Sequence, residues 1–79
     1  MSIENINEIA GERINNLFNY HTPTDPQIAQ MQAIRQHAKL LAHMIDVHVP
    51  DGADKSAAIR LLRQCVQISN AGIVLDGKA

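Results

Sequence analysis

Four histidines, one cysteine, one tyrosine and a pair of cations one helical turn apart are the side chains of this 79-residue sequence best suited to chemistry. His37, His43 and His48 stand six and five residues apart. Two imidazoles on one helix share a metal ion at separations of three or four, and neither a His-Glu-x-x-His pattern nor a second cysteine supplies the missing ligands. The spacing predicts solvent-facing or helix-capping histidines, His21 included, and no metal site. Cys65 falls among Leu61, Leu62 and Ile68 on an apolar stripe, where a thiol reads as a small core residue and not as a nucleophile. Asp25, Asp46, Asp51 and Asp54 flank loops and helix ends, and capping accounts for them. The sequence has no glycine-rich phosphate loop. These residues point to a binding protein, not an enzyme, and imply no cofactor.

Two features suit ligand binding. Tyr20, one of only two aromatic residues, stands beside His21 at the end of a helix, in a linker stiffened by Pro23 and Pro26. A flat ring held there can stack on a nucleobase, worth about 1–3 kcal/mol per stacked base; the same ring can instead close the core above the first helix. Arg35 and Lys39, at i and i+4, form a small cationic ledge able to hold a phosphate or a base edge. The plainer reading of such a ledge is a solvated helix face.

These residues need helices to position them. Ile3, Ile6, Ala10, Ile14, Leu17 and Phe18 recur in steps of three and four, which predicts a helix of about 16 residues that Ser2 can cap and that ends near Asn19. Thr24 or Asp25 can cap a second helix, with Pro26 at its first position. Its apolar positions run Ile28, Met31, Ile34, Ala38, Leu41, Ala42 and Ile45, with Leu40, Met44 and Val47 widening the stripe toward the end. Val49-Pro50-Asp51-Gly52 terminates it. A third helix opens near Asp51 or Asp54, carries Ala57, Ala58, Leu61, Leu62, Cys65, Ile68 and Ser69 on one face with Arg60 and Arg63 outside it, and ends at Gly72 or Gly77. A turn this short folds the last two helices into an antiparallel hairpin. The expected fold is therefore all-α: one helical domain over residues 1–79, a short N-terminal helix followed by a long hairpin at about 26–75.

Composition sets the remaining bounds. A formal charge of −1 argues against a binder of long nucleic acid, which needs a clear excess of Lys and Arg. No apolar run suits a membrane span or a secretory signal, so a cytoplasmic location is expected. Chains this short bury little of their surface, and the wide stripe of the second helix exceeds what one hairpin covers. A homo-oligomer is expected on that ground, with a compact three-helix monomer as the plainer alternative.

In this order and spacing, the run Tyr20-His21-Thr22-Pro23, the Gln27–Ala42 helix with Ile34-Arg35 and Leu40-Leu41-Ala42, the turn Pro50-Asp51-Gly52-Ala53-Asp54-Lys55-Ser56, and Ser69-Asn70-Ala71-Gly72-Ile73 resemble one known family. It is the helical hairpin domain of phage cyclic-oligonucleotide sponges, the anti-CBASS sponge and its Thoeris-blocking, Tad-type relative. The resemblance spans residues 18–75 and implies a homohexamer in the cytoplasm of an infected bacterium. Such an assembly sequesters cyclic dinucleotide messengers between protomers without cleaving them. It places Tyr20 as the stacking aromatic and Arg35 where the family has a basic residue; with His21, Lys39 and Asn70 these make up the candidate ligand-binding set. Where the family commonly carries an arginine for a second, cyclic trinucleotide pocket, this sequence has Leu75. A Tad-like sponge for a cyclic ADP-ribose signal is the near alternative, and a helical module that docks a protein on the stripe of the second helix is the distant one.

Overall fold

The computed structural model describes the backbone of residues 3–78 and the side chains of residues 11–78. Three helices follow in order: α1 (Ile3–Phe18), α2 (Asp25–His48) and α3 (Ala53–Leu75), with no strand among the described residues. α1 has the 16 residues its stripe predicts; Ser2, the expected cap, lies outside the described residues.

Thr24 is the N-cap of α2. Its hydroxyl accepts the Gln27 N–H at 3.3 Å, and the Gln27 Oε1 accepts the Thr24 N–H at 2.9 Å, so two backbone donors are satisfied reciprocally. Asp25 takes the first helical position, which moves Pro26 to the second, where a backbone N–H would also lack an intrahelical acceptor. α2 stops at His48 because Pro50 forces Val49 into extended backbone, φ −94° and ψ 127°. Gly52 then caps α3 at φ 157° and ψ −175°, a region open essentially to glycine alone. α3 opens at Ala53, between the two aspartates, and runs through Gly72. It ends at Asp76, a left-handed C-cap with φ 50° whose N–H donates to the Gly72 carbonyl at 3.0 Å.

α2 and α3 pack antiparallel along their length, fastened at both ends. Near the turn the Lys55 Nζ reaches Asp46 at 3.0 Å and Asp51 at 2.9 Å. At the open end the Gln27 Nε2 donates to the Ile73 carbonyl at 3.0 Å. Hydrogen bonding to Lys55 holds the Asp51 carboxyl below its usual value, and hydrogen bonds to Asp51 and then Asp46 hold the Lys55 ammonium above its own. α1 reaches the C-terminal segment through the Asn16 Nδ2, which donates to the Lys78 carbonyl at 3.1 Å.

The described residues form no buried core. None of the residues 11–78 is buried, and Leu61 and Ile68 are 59% and 72% exposed. The Cα radius of gyration is 17.5 Å, against about 11.6 Å for a compact chain of this length. The accessible surface is 6457 Å², against about 4,700 Å² for a compact monomer of this mass. Cys65 departs from expectation accordingly: it is exposed, because one neighbouring helix cannot roof the stripe on which it sits.

Candidate ligand-binding site

The seam between α2 and α3 carries a cleft on each side. Ala38, Leu62 and Val66 line both clefts and so form the ridge dividing them. The first cleft, about 380 Å³, is walled by Ile34, His37, Leu41 and Cys65 and is almost wholly apolar. There the His37 ring lies back along its own helix, with Nδ1 donating to the Ala33 carbonyl at 2.8 Å. The second cleft, about 360 Å³, has a different chemistry: Arg35 and Lys39 enter it from α2 and Arg63 from α3, over a floor of aliphatic side chains.

No carboxylate among the described residues lines this second cleft. The ion pairs among the described residues both belong to Lys55, leaving Arg35, Lys39 and Arg63 without an acidic partner. Like charges at i and i+4 oppose helix formation by roughly 0.2–0.5 kcal/mol, so the arrangement costs stability in the free chain. An anion reverses the sign of that term.

Tyr20 lies in the link between α1 and α2, 86% exposed, and lines neither cleft. His21 beside it is half-buried, and its Nε2 donates to the Asn16 carbonyl at 2.6 Å, satisfying an orphan carbonyl in the last turn of α1. That contact gives His21 the capping role the spacing allows and fixes the backbone from which the Tyr20 ring projects. Arg35 lies ten residues beyond Asp25, about 15 Å along the α2 axis. Asn70 is on α3, one turn before Ile73 and so near the open end of the hairpin. It is half-buried, and its Oδ1 is enclosed without a hydrogen-bond donor. An enclosed acceptor left unpaired costs about 1–3 kcal/mol.

Within one chain, then, Arg35 and Lys39 share a cleft, whereas Tyr20, His21 and Asn70 stand apart from it. Arg63 was missing from the residues expected to bind ligand, since its place outside the apolar face of α3 suggests a solvated charge. The signal lies in the hairpin register. Counting back equally from the turn along both helices sets Arg63 level with Ala38, between Arg35 and Lys39.

No curated protein and no solved structure matches this chain. A family model, described as the Acb2/Tad1 hairpin domain, matches residues 10–74. The matched span takes in all of α2, nearly all of α3 and the second half of α1, and begins ahead of residue 18, where the recognisable motifs start. The hairpin with its cationic cleft is thus the part of the chain that carries the likeness, and the chain belongs to the Acb2/Tad1 hairpin-domain family.

Proposed function

We propose that this protein is a phage anti-defence sponge, a homohexamer that captures cyclic dinucleotide messengers of CBASS immunity in the infected host's cytoplasm and releases them chemically unchanged. The observation that carries this reading is the family match over residues 10–74. Three features of the chain support it. The open stripe of α2 and the surplus accessible surface call for cover by further copies. The Tyr20 ring is exposed and open to a base, and the Arg35 guanidinium can pair two phosphate or base acceptors at once.

A two-fold pair of protomers matches a cyclic dinucleotide, which carries two phosphates and is itself close to two-fold symmetric. Tyr20 of one copy and Arg35 of another can then meet, although about 15 Å of helix separates their levels within one chain. Sequestration of a submicromolar messenger requires about −11 to −12 kcal/mol, a nanomolar Kd. No helix among the described residues is long and apolar enough to cross a membrane.

Calorimetry against cyclic dinucleotides, followed by denaturation and chromatography of the released ligand, tests this function. Nanomolar uptake and recovery of intact ligand are expected. Linear product refutes a sponge, and a response to cyclic ADP-ribose isomers alone moves the protein to the Tad-like reading.

A further inference from the structure

The geometry points to Arg63 as a third ligand-contacting cation, which with Arg35 and Lys39 makes a phosphodiester-binding cleft inside a single hairpin. This rests on the sponge reading for the identity of the ligand, but the cleft itself is read from the chain. Two helices contribute its three charges, and among the described residues no carboxylate lines it or pairs with them. Three uncompensated cations around one depression are unfavourable in the free chain and become favourable once an anion bridges them.

The surroundings suit a sugar–phosphate. Ala38 on the floor lets a ligand approach the backbone, while Leu62 and Val66 give an apolar bed on which a ribose or base edge can lie. The cleft, about 360 Å³, is a shallow groove open to solvent, so a ligand lying in it keeps a face for a second protomer to cover. A guanidinium on α3 facing another on α2 grips the non-bridging oxygens of one phosphodiester from two sides, each through a two-pronged contact that lysine cannot reproduce. Arg60 is the internal control. It stands one turn before Arg63 with the same charge, and it lines neither cleft.

The test compares wild type with Arg63→Ala, Arg63→Lys and Arg60→Ala by calorimetry against cyclic di-adenylate and cyclic di-guanylate. Pyrophosphate serves as a base-free probe, read on the arginine side-chain N–H resonances. Arg63→Ala is expected to weaken dinucleotide binding at least tenfold and Arg63→Lys by an intermediate factor, with Arg60→Ala within twofold of wild type. Equal affinities for Arg63→Ala and Arg60→Ala, in a protein that binds dinucleotide, overturn the role of Arg63 and leave the sponge standing. If wild type takes up neither dinucleotide, the reading as a sponge for these two messengers falls and pyrophosphate judges the cleft alone. Joint shifts at Arg35 and Arg63, lost in Arg63→Ala, support it; an unmoved Arg63 overturns it.

Discussion

The side-chain amide of Gln27 joins the first turn of α2 to the last turn of α3: its Nε2 donates to the Ile73 carbonyl at 3.0 Å while its Oε1 accepts the Thr24 N–H at 2.9 Å. One residue thereby completes a capping box and closes the open end of the hairpin. Gln27→Ala removes both contacts and is expected to lower stability by about 1–3 kcal/mol. Gln27→Glu keeps the acceptor but sets a carboxylate against a carbonyl, so it should recover only part of the loss. Urea unfolding at one fixed protein concentration measures both.

The opposite end depends on Lys55, and its pH response follows from two displaced equilibria. Asp51 titrates below its usual 3.8, so its contribution is present above that value and is lost as pH falls through the lowered one. Lys55 titrates above its usual 10.5, so its contribution is present below that value and is lost as pH rises through the raised one. The difference in urea midpoint between wild type and Lys55→Met should therefore stay flat between about pH 5 and 9 and shrink in strong acid. A difference that changes near neutrality would point to another group.

For the ligand, Tyr20→Ala should cost about 1–3 kcal/mol of dinucleotide affinity through lost stacking. Arg35→Ala should cost about 2–5 kcal/mol if it leaves a buried phosphate unpaired. Because Tyr20 is 86% exposed in the single chain, its loss should move the stability of the ligand-free protein by less than about 0.5 kcal/mol. Parallel calorimetry and thermal melts separate the two effects; a large drop in melting temperature for Tyr20→Ala would instead make the ring a structural closure.

Cyclic trinucleotides provide a second comparison. Leu75 ends α3 and offers no charge to a phosphate, so trinucleotide affinity is expected to fall well below dinucleotide affinity. Titration of both classes against wild type checks this. Equal nanomolar affinities would show that a base elsewhere in the chain does the work expected of an arginine at position 75.

Assembly is tested on the apolar cleft. Leu41, 46% exposed, lines it together with Ile34. Leu41→Glu places a charge where a second copy must bury surface, so sedimentation should shift from a six-fold multiple of 8.7 kDa toward the single chain. An unchanged mass would move the contact to another face.

Much of this fold was legible from periodicity and punctuation. Steps of three and four mark α1, Pro26 and Pro50 bracket α2, and Gly77 follows the end of α3. Less legible was how the clefts divide the charges, because that depends on register across the turn. Arg35 and Lys39 announce themselves as an i, i+4 pair, but Arg63 joins them only once α3 folds back. Cys65 shows the converse. An apolar stripe reveals which residues seek cover, and not whether the chain itself supplies it.

The Cα trace of the chain extends only 17 Å along its shortest axis, and no residue among 11–78 is buried. Every backbone amide of α2 and α3 therefore lies within roughly one side chain of bulk solvent. Hydrogen exchange in a dilute, separated chain has no slow nucleus to reveal, and opening proceeds segment by segment along the rod. Protection then becomes a property of what is laid over the hairpin, rising with protein concentration and ligand, so that exchange along α2 and α3 reads directly how much of the protein is assembled and loaded.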